Sequence, residues 1–303
     1  MKKKIAKTII GIIILIIAII MLIISFFLIM DIESKAPEEV QIDCNLETEE
    51  FIGRKVFIIT PKNEQKSEKV ILYLHGGSYV AETSSNHWKF LEKLVKDTNA
   101  TIILPDYPLT PKYTYKDVFT MITPLYKEII EEVSTNNLIL MGDSAGGGMS
   151  LALLERLSEE NVEMPYKTIL ISPWLDVRLE NPEIDNVQKY DKDLNKESLK
   201  IAGIAYTGKD GIDSYLVNPI DGDLSKLKNI TIFTGTYDIL NPDVHVLDEK
   251  AKKVNVSLEI KEYEGAGHIW FINNNSGKEL EEAGYQDLLE EVKGLEWKKK
   301  KEN

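Results

Sequence analysis

The chain has 303 residues, enough for one large α/β domain, and a formal charge of −13 from 36 basic and 49 acidic side chains. Such an acidic balance lacks the basic face that phosphate binding needs, so nucleic acid is not an expected partner. A lone cysteine, Cys44, cannot form an internal disulfide and fits either redox compartment.

Residues 1–7 contain Lys2, Lys3, Lys4 and Lys7, and residues 8–30 carry no charge. As a helix those 23 residues would extend about 34 Å, enough for a hydrocarbon core of about 30 Å. A cleaved leader is the competing reading. Its apolar run is usually about 7–15 residues and ends at small residues, whereas this one ends Phe26-Phe27-Leu28-Ile29-Met30. The expectation is one N-terminal transmembrane helix at 8–30. The preceding lysines favour a cytoplasmic residue 1–7 segment and an extracellular residue 31–303 domain. That domain carries −17, because the first 30 residues hold four lysines and no acid.

Beyond residue 30, short β-branched runs alternate with longer amphipathic stretches, as in an α/β fold with a mostly parallel central sheet and helices on both faces. Strands are expected at 55–59, 70–74, 101–104, 138–141, 168–171, 230–234 and 257–263. Helices are expected at 87–98, 115–133, 146–157, 243–253 and 279–295. The runs VILYL, TIIL and LILM are apolar enough for central strands buried on both faces.

Polar residues gather just after these strands, where open parallel sheets bind ligands. Gly142-Asp143-Ser144-Ala145-Gly146 fits the G-x-S-x-G turn between a strand and a helix, which exposes a serine above a helix N-terminus. A serine nucleophile needs a base. Of the four histidines, His268 lies just after the last strand, while His87 and His245 suit ordinary core or surface roles. The base needs a carboxylate to hold its tautomer. Asp238 follows strand 230–234, and the order Ser144, Asp238, His268 is that of α/β-hydrolases. Asp243, expected to cap the following helix, and Asp176 are the rival carboxylates. After strand 70–74 comes His75-Gly76-Gly77-Ser78, whose backbone N–H groups, with that of Ala145, are candidates for stabilising an oxyanion. His75 and Asp143 are expected to support that loop.

With these blocks in view, the chain resembles the hormone-sensitive-lipase-like branch of α/β-hydrolases over roughly residues 68–272. The resemblance rests on the HGG loop, the GDSAGG elbow, Asp106-Tyr107-Pro108-Leu109-Thr110-Pro111, Ser172-Pro173-Trp174-Leu175-Asp176, Gly235 to Asp238 and Gly267-His268. It implies the α/β-hydrolase fold and a serine esterase or lipase of short- to medium-chain acyl or acetyl esters. The substrate would be a small molecule, glycan or lipid ester. Two departures stand out: Ser78 replaces the loop's third glycine, so Gly77 and Ser78 would be the inner donors, and the cap is reduced. Residues 183–216 are the expected lid, and a reduced cap suggests an open acyl pocket. No metal or organic cofactor is implied. An amidase or peptidase on the same triad, and a non-catalytic binding protein of the same fold, are the alternatives.

Overall fold

The chain is described by a computed structural model over residues 43–62, 67–209 and 211–299, with side chains through residue 294. The expected membrane span at 8–30, the cytoplasmic 1–7 segment and the start of the 31–303 domain lie outside the described residues. Among the described residues, no helix is long and apolar enough to cross a membrane.

Eight strands form one sheet: β1 (Asn45–Phe51), β2 (Arg54–Thr60), β3 (Val70–Leu74), β4 (Thr101–Pro105), β5 (Leu138–Asp143), β6 (Lys167–Ile171), β7 (Ile230–Gly235) and β8 (Glu259–Tyr263). Their order is β1-β2-β4-β3-β5-β6-β7-β8. The β1–β2 and β2–β4 pairs are antiparallel and all later pairs are parallel. β5 is buried throughout and β3 nearly so, matching their unbroken apolar runs. In β4, Ile103 is only half-buried.

The helices are α1 (Ser85–Thr98), α2 (Tyr115–Glu132), α3 (Ala145–Glu159), α4 (Glu183–Val187), α5 (Lys196–Thr207), α6 (Asn241–Lys253), α7 (Trp270–Asn273) and α8 (Lys278–Lys299). Trp88, Leu91 and Leu94 of α1 join Trp270 and Phe271 of α7 and Leu288 of α8 in one core with Ile71, Ile139 and Ile169 of the sheet. Buried residues of α2 and α3, among them Phe119, Ile122, Met149 and Leu153, lie outside that core and cover the opposite face. Truncating one such leucine to alanine costs about 2–5 kcal/mol.

The strand order positions the site. From β3 the chain crosses through α1 to β4 on one side, whereas from β5 it crosses through α3 to β6 on the other. The β3–β5 boundary is thus a topological switch point, where loops diverge and leave a crevice. Leu74, the last residue of β3, pairs with Gly142 of β5. The HGGS loop and the serine turn therefore leave the sheet side by side.

Candidate active site

Ser144 has φ 53° and ψ −120°, a left-handed conformation that a residue with a Cβ rarely adopts. Such strain costs about 1–3 kcal/mol and persists only where the surroundings over-determine it. Here the Ser144 N–H donates to the Ile171 carbonyl at 2.8 Å, and its carbonyl accepts from Trp174 at 2.8 Å and Gly148 at 3.1 Å. The flanking glycines are steric necessities. A Cβ on Gly146 would strike the Leu74 carbonyl, and one on Gly142 the Gly146 carbonyl.

His268 and Asp238 come together as the sequence suggests. His268 Nδ1 is 2.8 Å from Asp238 Oδ2, and Asp238 Oδ1 accepts the Leu240 N–H at 2.9 Å. The His268 loop is tied to the sheet where Ser172 Oγ accepts the Ile269 N–H at 3.1 Å. Burial opposes the charged ring, but the Asp238 charge and hydrogen bond, then Asp191 and Asp143, hold the imidazole above its ordinary pKa. Ser144 and His268 are each 4% exposed. Both side chains are therefore shielded from bulk water.

Neither rival carboxylate meets His268. Asp176 binds Arg178 at 2.7 and 3.0 Å. Asp243 does not occupy the expected cap position, because Leu240 precedes α6 as its N-cap. It lies in the first turn, accepts from Asn181 at 2.9 Å, and is pushed by burial to a pKa of about 6. His245 pairs with Glu262 on the surface at 2.8 Å.

The oxyanion-loop reading needs one correction: the Gly76 N–H is not free for substrate, because it donates to Asp143 Oδ1 at 3.0 Å. The loop then turns through three consecutive left-handed residues, Gly77 (φ 122°), Ser78 (φ 54°) and Tyr79 (φ 64°). Ala145 opens α3, so its N–H has no acceptor within the helix. Gly77, Ser78 and Ala145 remain as the candidate donors.

Two supports hold this loop. His75 Nδ1 lies 2.6 Å from the Gly76 carbonyl, so it is the donating nitrogen. Tyr107 stacks on the His75 ring with centroids 4.3 Å apart and donates its hydroxyl to the His75 carbonyl at 2.7 Å. Burial, then the nearby His87, pushes His75 down to a pKa of about 4, so it is neutral near pH 7. Asp143 is the second support. Besides Gly76 it accepts from the Tyr73 hydroxyl at 2.6 Å and from His87 Nε2 at 3.0 Å. Burial works against its charge, but His87, Tyr73 and Gly76 together hold its carboxyl below the ordinary range.

His87 is the contributor to which sequence reasoning gave only an ordinary core or surface role. Ser84 caps α1 by accepting the His87 N–H at 3.3 Å, and the Ser84 N–H donates back to His87 Nδ1 at 3.2 Å. An accepting Nδ1 leaves the proton on Nε2, which donates to Asp143. The Ser-x-x-His spacing carries the helix-start signal of a capping box, but no local pattern marks the Asp143 contact 56 residues away. Asp191, beside the Asp238 loop, was also missed. Among the described residues, no group of His, Cys, Asp or Glu is arranged to hold a metal ion.

Comparison with known proteins agrees with this architecture. The α/β-hydrolase fold family model matches residues 71–272, and the chain belongs to that family. It is 30% identical over 207 residues to an esterase of Acinetobacter venetianus, covering 67% of this chain and 68% of that protein. It is 25% identical over 203 residues to an acetyl-hydrolase of Streptomyces hygroscopicus, covering 67% of this chain and 68% of that protein. A Staphylococcus aureus crystal structure superposes with a TM-score of 0.77 at 27% identity, over 84% of this chain and 85% of that one. A hormone-sensitive lipase from a metagenome library shares the fold, with a TM-score of 0.78 at 23% identity over 87% and 86%.

Proposed function

We propose that the chain hydrolyses carboxylic esters through an acyl-serine intermediate, with Ser144 as nucleophile, His268 as general base and acid, and Asp238 as its orienting carboxylate. The observation that carries this reading is the 2.8 Å His268–Asp238 pair, which accompanies a buried serine held in a strained strand-to-helix turn. Similarity to an esterase and an acetyl-hydrolase supports esters as the substrate class.

In the first half-reaction Ser144 Oγ bonds to the ester carbonyl carbon and its proton passes to His268 Nε2. The carbonyl oxygen becomes an oxyanion, for which Gly77, Ser78 and Ala145 supply N–H donors. One such donor is typically worth about 10²–10³ in turnover. Collapse breaks the bond to the alcohol, which leaves with the His268 proton. Water then repeats the sequence on the acyl-serine, releasing the acid and restoring Ser144. Short- to medium-chain acyl or acetyl esters of small molecules, glycans or lipids are the proposed substrates.

The uncharged residues 8–30 are proposed as a single membrane anchor, with 1–7 cytoplasmic and 31–303 outside. Their length and the lysines before them support this. Protease added to intact cells should then remove the domain, and complete protection would contradict the orientation. The catalytic reading is tested by labelling with an organophosphonate ester and mapping the adduct. A stoichiometric adduct on Ser144 is expected. A folded protein that takes no label there overturns the reading.

A further inference from the structure

Residues 190–193, within the expected lid, touch both loops that carry Asp238 and His268. Tyr190 stacks on Tyr237 with centroids 5.0 Å apart and planes 13° from parallel. Next in the chain, Asp191 Oδ2 accepts the N–H of Ile239 at 2.9 Å, immediately after Asp238. Two residues on, Asp193 Oδ2 accepts from Asn275 Nδ2 at 2.6 Å, and the same amide reaches the His268 carbonyl at 3.4 Å. A ring stacked on the Asp238 loop and a carboxylate bonded to it are thus followed by a carboxylate joined, through Asn275, to the His268 loop.

Asp191 has the more consequential place. Its Oδ1 accepts the N–H groups of Asp193 at 2.9 Å and Leu194 at 2.8 Å, while Oδ2 takes Ile239. All three partners are donors, which favours the carboxylate. Burial and the Asp238 charge act in the other direction and raise its pKa. The charged groups acting on His268 are Asp238, Asp191 and Asp143. Asp238 both bonds the ring and acts through its charge, whereas Asp191 acts through charge alone.

We infer that Asp191 is a positioning residue for this site: it pins the Asp238 loop to the lid and adds a further negative charge in support of the His268 imidazolium. This rests on the triad reading. When His268 takes the Ser144 proton, the new cation forms within the field of three carboxylates, Asp238, Asp191 and Asp143, of which Asp238 alone bonds the ring. The lid strap that holds the acid loop then also tunes the base, so lid position and base strength are coupled.

The test is kcat/KM for p-nitrophenyl acetate against pH, using the full chain in mild detergent. Wild type is compared with Asp191→Asn, Asp191→Ser and Asp191→Glu, with Ser144→Ala in parallel. The two neutral variants should move the acidic limb to lower pH by about half a unit. They should also lower plateau kcat more than they change KM, and Asp191→Glu should restore the limb. A purely structural role would lower activity without moving the limb. An unmoved limb in whichever neutral variant folds, with Ser144→Ala inactive, overturns the role of Asp191 and leaves the triad standing. Full turnover by Ser144→Ala would remove the triad and this inference together.

Discussion

The rings of Tyr79 and Tyr206 lie face to face, with centroids 3.6 Å apart and planes 2° from parallel. Tyr79 directly follows the loop that offers Gly77 and Ser78, and Tyr206 belongs to helix α5. Trp174 stacks on Tyr79 as well, at 5.2 Å, so the left-handed turn of the loop is held by an aromatic pile. The Tyr206 hydroxyl is buried with no hydrogen-bond partner among the described residues. The ring, not the hydroxyl, is therefore what the fold uses. Tyr206→Phe should keep activity and match or exceed wild-type thermal stability. Tyr206→Ala should cost about 3–5 kcal/mol and lower kcat through a loosened loop. Thermal denaturation and ester turnover on the two variants separate these outcomes.

His87 supports the same loop from beneath, through Asp143. Replacing it by alanine leaves Asp143 Oδ2 buried without its 3.0 Å donor. Removing one partner of a buried charged hydrogen bond costs about 1.5–3 kcal/mol or more. Because Asp143 Oδ1 also holds the Gly76 N–H, the expected kinetic effect is a fall in kcat with a smaller change in KM. Chemical denaturation beside steady-state kinetics of His87→Ala measures both, and an unchanged kcat would detach Asp143 from the loop's catalytic geometry.

The pH dependence follows from the sign of the His268 shift. A general base is active when deprotonated, and the carboxylates around His268 hold its pKa above the ordinary value of about 6.5. The acidic limb of kcat/KM should therefore be centred above that value, with activity lost as pH falls through it. A rate profile from pH 5 to 9 checks this. A midpoint well below 6 would contradict it.

Far along α3, Glu155 is 4% exposed, with neither carboxyl oxygen hydrogen-bonded among the described residues. Burial, then the charges of Asp223 and Asp221, raises its pKa well above the ordinary carboxyl value, while Lys250 opposes them. A carboxyl raised in the folded state contributes most below its unfolded pKa of about 4.3. That contribution is lost as pH rises toward the folded value. Glu155→Gln, neutral throughout, should raise the melting temperature at pH 8 and do so less at pH 5. A gain of about 1 kcal/mol corresponds to roughly 2–4 °C. An equal difference at both pH values would contradict the linkage.

What could be read from the sequence was local. VILYL and LILM announce strands β3 and β5 because buried parallel strands need apolar side chains on both faces. GDSAG announces the turn because close backbone approach excludes any Cβ at Gly142 and Gly146. Strand β1 was missed because Asn-Leu-Glu-Thr-Glu-Glu-Phe lies at the sheet edge, mostly exposed and charged, so no apolar run marks it. Helices α4 and α5 and the short α7 were also not delimited, since each depends on packing beneath it. Asp191 and His87 act through partners 48 and 56 residues away, a relation carried by topology and not by local pattern. The Gly76 error has the same origin: a loop sequence shows how many N–H groups exist, not which one a distant carboxylate has taken.

The most direct test of the account is hydrolysis of p-nitrophenyl esters from acetate to palmitate by the full chain, beside Ser144→Ala. The wild type should turn these esters over, fastest on the shorter acyl chains, and the variant should lose about 10⁶ in turnover, as for a serine protease that loses its nucleophile. Ester turnover that survives in a folded Ser144→Ala protein would contradict it.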